Sequence, residues 1–166
     1  MARGFSCGMY EISDNRVKPE VVLGIMPCRD GVILPEASAG NAGIDLRVLT
    51  DDGTPVEILP NACHKFYTGI KMNIPEGYYI EVAVRSSTGI KKHLRLMNSI
   101  AVLDSSWKGE TIVALHNFGT APVTVDNNER VCQMILHKVE NVSIKQVDNV
   151  GESDRGEKGI GSTGRY

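Results

Sequence analysis

Turn signals recur along this chain at intervals too short for long helices, and that punctuation constrains the fold more than any other feature. Asp51-Asp52-Gly53-Thr54-Pro55, Pro60-Asn61, Pro75-Glu76-Gly77, Asn117-Phe118-Gly119-Thr120 and Asp126-Asn127-Asn128 separate short apolar runs at 78–84, 111–115 and 131–137. Val123 and Val125 alternate around Thr124, and residues 139–147 keep a strand-like scatter of Val and Ile. Short strands at this spacing predict an all-β sandwich or barrel, whose sheet edges favour closure or association. One segment argues otherwise: 88–98 places Ile90, Leu94 and Met97 at i, i+4 and i+7, which predicts one short amphipathic helix. With only 5% aromatic residues, the core is expected to be mostly Val, Ile, Leu and Ala.

Three regions are expected. Residues 1–20 are polar and aperiodic and read as an extension; 21–150 hold the strand pattern; 151–166 are Gly- and charge-rich, without an apolar face, and read as a mobile arm. A chain of 166 residues is one ordinary domain, able to hide roughly 70% of its unfolded surface. Its 42% hydrophobic and 23% charged residues, with no apolar run near the ~20 needed to span a bilayer, predict a soluble protein with no membrane partner. Eighteen basic against twenty acidic side chains, net −2, give no electrostatic case for nucleic acid as a partner. The N-terminus lacks an apolar signal core, and Cys7, Cys28, Cys63 and Cys132 form no C-x-x-C pair. Free thiols in a reducing compartment are expected: the cytoplasm, or a host's cytoplasm or nucleus if the gene is viral. His64, His93, His116 and His137 show no metal-ligand spacing, which disfavours a protein-built transition-metal site.

Five patches carry the candidate chemistry, each with a bland reading beside it. Ala42-Gly43-Ile44-Asp45-Leu46, taken alone, reads as a tight turn into a strand whose Asp45 caps local backbone donors. Arg85-Ser86-Ser87-Thr88-Gly89 combines an Arg, hydroxyls and backbone N–H groups into an anion site, or supplies a plain helix cap at Ser87 or Thr88. In the stretch 98–110, Asp104 ends an apolar strand near the single Trp107 and a Lys108-Gly109 turn; a plain hairpin is the alternative. Gln133 interrupts an apolar strand after Glu129-Arg130, which by itself reads as a structural amide bonded to a neighbouring loop. The last patch, 155–164, contains G-x-G-x-x-G, but the chain ends two residues later, so no dinucleotide-binding helix can follow. There remains a segment with Arg155, Lys158, Ser162 and Thr163 suited to wrapping phosphate, or a disordered tail.

The order of AGIDL, RSS, the Asp104 stretch, ERVCQ and RGEKGIGSTG over roughly 120 residues resembles the five motifs of the trimeric deoxyuridine triphosphatases, the dUTPases, from about Val21 to Gly164. The resemblance implies an all-β, jelly-roll-like antiparallel barrel with one short helix, assembled as a homotrimer with active sites shared between subunits, whose C-terminal arm closes over the nucleotide. It implies hydrolysis of dUTP to dUMP and pyrophosphate, limiting uracil in DNA and supplying dUMP for thymidylate synthesis. Mg²⁺ is the implied cofactor, held mainly by the triphosphate, as suits an ion that keeps its waters.

By the same resemblance, Asp104 holds and activates the attacking water. Asp45 reaches the hydrated Mg²⁺ through water, Arg85, Ser86 and Ser87 organise the phosphates, and Gln133 donates near the α-phosphate. Arg155, Ser162 and Thr163, beside Gly161 on the arm, bind the outer phosphates. Uracil is read by main-chain groups of a hairpin from Asn98 to Val102, with the Asn98 side chain matching the base and Leu103 also at the substrate. Trp107 stands where the family usually has a Tyr packed against deoxyribose, and Ile160 where the arm usually carries a Phe over uracil. The lost aromatic stack at Ile160 predicts weaker arm closure and a raised KM; an unchanged KM in both Ile160→Phe and Ile160→Ala contradicts that. Ala101, Ser106 and Asn128 also depart from the pattern, the last at a position where Asn tolerates positive φ. Two rival readings stand: a dCTP deaminase, whose catalytic Glu position is Ala114 here, and a binding or regulatory protein with an impaired site.

Overall fold

The computed structural model describes residues 21–154 with 156, 157 and 159. Its elements run β1 (Gly24–Pro27), β2 (Gly43–Arg47), β3 (Val56–Ile58), β4 (Cys63–Asn73), β5 (Tyr78–Val84), α1 (Ser86–Ile90), β6 (Leu94–Leu96), β7 (Ala101–Asp104), β8 (Glu110–Asn117), β9 (Val123–Val125) and β10 (Arg130–Lys138). Two four-stranded sheets, ordered β1-β4-β8-β6 and β2-β10-β5-β7, are joined by a β3-β9 pair, and every pairing is antiparallel. The predicted all-β, jelly-roll-like architecture with one short helix is what the described residues form. Among the described residues no helix is long and apolar enough to cross a membrane.

Period-two alternation builds this arrangement. Ile80 and Val82 of β5, Cys132 and Met134 of β10 and Leu46 of β2 are buried, and they meet Phe66, Ile70, Val113 and Leu115 from the other sheet in one apolar cluster. Alanine, expected in this core, supplies none of the fully buried side chains; Phe66 and Met134 fill that volume. Cys132 is a free cysteine, and burial pushes its thiol up to about 12.

Two sequence expectations fail for physical reasons. The helix is Ser86–Ile90, not 88–98: Leu94 leaves it to pair with Asn117 in the β6–β8 ladder, and His93 takes φ +52° to make the switch. Leu94 is therefore fully buried while Ile90 and Met97 stay 75% and 53% exposed, so the three share no face. Residues 139–147 form no strand, because the ladder ends at Lys138 and Val142, Ile144 and Val147 have no neighbouring strand to pair with. Asn128, by contrast, has φ +59°, as its residue type suggested.

Asn117 ties β8 to the β3-β9 pair. Its side chain is wholly buried, donates to Ile58 O and Ala121 O at 2.9 and 2.8 Å, and accepts from Gly119 N–H at 2.9 Å. Asn117→Ala is expected to cost about 3 kcal/mol in denaturant unfolding, since two carbonyls and an amide lose their partner together. A cost under about 1 kcal/mol contradicts that role.

Candidate functional site

On the sheet β2-β10-β5-β7 the same alternation that fills the core turns the polar residues to the opposite face. Asp45 stands opposite Gln133, Val102 opposite Glu81, and Asp104 opposite Tyr79, all outward. Leu103 points the other way and packs on the core, so only its main chain is available to a ligand.

At one end of this face a charged cluster forms. Arg85 follows β5 and anchors its backbone by donating N–H to Val131 O at 3.0 Å. Its Nε meets Asp45 Oδ1 at 2.8 Å, and Arg130 Nη1 meets Asp45 Oδ2 at 3.0 Å. Both carboxylate oxygens are thus held by guanidinium groups rather than by local backbone donors, which corrects the capping alternative. The helix-cap alternative fails as well: Arg85 is the N-cap of α1 and no side-chain hydrogen bond caps it, leaving Ser86 exposed and Ser87 half-buried beside the cluster. Gln133 sits against Gly43, where a Cβ would collide with Oε1 and lie 3.3 Å from Cδ. A cleft of about 390 Å³ opens here, lined by Gly43, Asp45, Arg47 and Arg130 and walled by Ile33 to Glu36.

Asp104 lies elsewhere. It is six residues down β5 from Arg85, about 20 Å at the rise of a strand, exposed beside a second cleft with Glu76, Tyr78 and Lys138. Asn98 is exposed in a tight turn where Ser99 takes φ +62°, and Val102 is 58% exposed. The hairpin readings of both stretches need correction. β6 and β7 belong to different sheets, as do β7 and β8, so the turn at 98–100 and the loop at 105–109 each cross between sheets instead of joining paired strands. Trp107 is half exposed and not a core residue. Arg155 and Ile160, Gly161, Ser162 and Thr163 lie outside the described residues, as do residues 1–20.

The loop after Asp104 ends on a firm anchor that sequence inspection passed over. Glu110 takes Arg29 Nε at 2.6 Å and Nη2 at 2.9 Å and also accepts Gly69 N–H at 3.0 Å. Burial pushes the Glu110 carboxyl up, but Arg29 and the Gly69 N–H outweigh it and hold it below its usual range. Arg130 and Gly43 were also missed as site residues. The signals were present in the Glu129-Arg130 pair leaving a turn and in a Gly two positions before Asp45 on the same strand face.

Two arginines thus meet one carboxylate at one end of this sheet face, and at the other end Asp104 has no cationic partner among the described residues. The dUTPase family model matches residues 29–164, a span that takes in both ends of the face. The chain belongs to the dUTPase family. Among dUTPases, the deoxyuridine 5'-triphosphate nucleotidohydrolase of Finegoldia magna is 36% identical over 132 residues, covering 79% of this chain and 91% of that protein. That of Fusobacterium nucleatum is 34% identical over 137 residues, covering 82% and 92%. A mutant dUTPase of Staphylococcus bacteriophage 80alpha, solved with dUpNHpp, shares the fold with a TM-score of 0.76 at 21% identity, over 86% of this chain and 98% of the phage protein. A mutant dUTPase of phage phi11 of S. aureus, solved to show coordination of a structural Mg(II) ion, aligns with a TM-score of 0.69 at 17% identity, over 78% and 98%. The dUTPase membership leaves the deaminase reading without support, in keeping with Ala114 on β8, which pairs with Lys65 of β4.

Within this dUTPase, Gly43 is a test of the cluster. Gly43→Ala is expected to displace the Gln133 amide and to lower kcat/KM about tenfold or more, because a backbone without positive φ accepts Ala while the amide must move. Unchanged kinetics with dUTP contradict the placement of Gln133.

Proposed function

We propose that this protein hydrolyses dUTP to dUMP and pyrophosphate at a site that one copy of the chain leaves incomplete. The observation that carries the reading is the separation on one sheet face: the Asp45–Arg85–Arg130 cluster lies about 20 Å from Asp104, too far for one triphosphate to be held by the first and attacked from the second within one protomer. Completing the site takes a second copy that brings its Asp104 to the first copy's arginines, with the arm at 151–166 closing over the nucleotide. A closed homotrimer satisfies this head-to-tail contact three times.

Asp104, exposed and without a cationic partner among the described residues, is free to take a proton from water. That water's oxygen bonds to phosphorus as the bond to the leaving pyrophosphate breaks, and the proton passes to the Asp104 carboxylate. Arg85 and Arg130 supply charge for the phosphate oxygens, with Ser86, Ser87 and Gln133 as donors around them. Asn98 and the main chain from 98 to 103 form the base slot, and Trp107 packs on the sugar. Arg155, Ile160, Gly161, Ser162 and Thr163 belong to the arm.

The donor set suits Mg²⁺ carried by the nucleotide. Among the described residues no three His, Cys, Asp or Glu side chains converge, and Asp45, the carboxylate that meets both arginines, would suit a hydrated ion carried by the phosphates. When bound, the ion neutralises phosphate charge. Asp45 would hold it through water, and Arg85 and Arg130 would then serve the phosphate oxygens. The free thiols of Cys28, Cys63 and Cys132 support a reducing, cytoplasmic setting.

Pyrophosphate release with Mg²⁺ from dUTP, UTP, dCTP and dTTP, beside the oligomeric mass, tests this reading. Turnover confined to dUTP by a trimer supports it. A folded trimer that turns over none of the four contradicts it and favours a binding protein built on the dUTPase fold.

A further inference from the structure

Trp107 is the only tryptophan in the chain, and its position is fixed by a short loop pinned at three points. Trp107 N–H donates to Asp104 O at 3.0 Å, Lys108 Nζ donates to Asn73 Oδ1 at 2.9 Å, and Glu110 is clamped by Arg29 and the Gly69 amide. The indole folds back onto this loop. Its six-membered ring lies against the α-carbon of Gly109, so closely that a Cβ there would overlap Cζ2 and stand 2.8 Å from Cε2 and Cη2. Gly109 has no positive φ, so its backbone does not require glycine; the ring does. Even so seated, the residue is 50% exposed.

We propose that Gly109 is a positioning residue for sugar selection: by seating the Trp107 indole against bare backbone, it sets the depth of the subsite that receives deoxyribose. An indole is wider than a phenol ring, and without this seat it would stand further into the volume the sugar must occupy. The Cβ of any other residue closes the inward route, and the ring then swings outward on its own side-chain torsions. Because the displaced atoms are the far end of a movable side chain, the fold loses little while the subsite changes. The inference rests on the dUTP reading above.

The test compares Gly109→Ala with wild type for kcat and KM on dUTP and UTP, together with emission of the single indole. KM for dUTP is expected to rise about tenfold with kcat changed less than about twofold, and the kcat/KM preference for dUTP over UTP to fall about tenfold. The indole emission shifts as the ring leaves the backbone. In a Trp107→Phe background, where the smaller ring leaves room for a Cβ, Gly109→Ala is expected to cost nothing in folding or in KM. An active Gly109→Ala protein with wild-type KM, preference and emission overturns the seat. So does an equal loss in the Trp107→Phe background, which would assign Gly109 to the backbone. If wild type itself hydrolyses no dUTP, the reading of the site falls and the selection role falls with it, whereas with an active wild type a negative result counts against Gly109 alone.

Discussion

Asp104→Asn is expected to lower kcat on dUTP about a thousandfold while leaving the melting temperature within a degree or so. The first half follows from chemistry: an amide of the same shape accepts a hydrogen bond from water but cannot take its proton, and a positioned general base contributes about 10² to 10⁴ in rate. The second half follows from position. The Asp104 side chain is exposed at the end of β7, and its carboxylate pairs with no cation among the described residues, so its charge supports nothing in the fold. Surface changes of this kind stay within about 0.5 kcal/mol. Pyrophosphate release and a thermal melt on the same preparation check both halves. A residual rate within tenfold of wild type removes Asp104 from the mechanism.

Arg85→Ala is expected to lower kcat/KM for dUTP by about 10² to 10³, the range found when one donor to a developing charge is deleted from a preorganised site. Stability again changes little. The Arg85–Asp45 pair is about one-third exposed on both sides, and pairs so open to water contribute about 1 kcal/mol or less. Arg130 keeps its own contact with Asp45, so the carboxylate is not stranded. The loss should fall mainly on KM if Arg85 holds the ground-state triphosphate, and on kcat if it acts only as charge moves to the leaving group. Steady-state kinetics decide between the two, and a kcat/KM within threefold of wild type contradicts either.

Much of this architecture was legible in the sequence because strand period and turn chemistry are local properties. The run at 78–84 became β5 residue for residue, and Val123 and Val125 alternate around Thr124 in β9 as expected. The helix at 88–98 was misread because its three apolar residues have helical spacing by accident: Leu94 is claimed by pairing with Asn117, a partner distant in sequence. The run at 139–147 was misread for the opposite reason, since apolar residues suggest a strand only where another strand is free to pair. Of the site, Asp45, Arg85 and Gln133 do come together, because β2, β10 and β5 are neighbours in one sheet. Arg130 escaped notice because the value of an arginine depends on which carboxylate it reaches. Gly43 and Gly109 escaped because a missing Cβ leaves no trace until Gln133 and Trp107 are seen to fill the space.

On the proposed mechanism dUTP is hydrolysed where one copy's Asp104 meets another copy's Arg85, so two crippled proteins should rescue each other when mixed. Asp104→Asn and Arg85→Ala are each prepared alone, then unfolded together and refolded as a mixture, and pyrophosphate release from dUTP is measured. In mixed trimers some sites draw Arg85 from the first variant and Asp104 from the second, so activity should recover to about a quarter of wild type when subunits assort at random. A mixture no more active than its parents, in trimers shown by mass to contain both chains, contradicts a shared site.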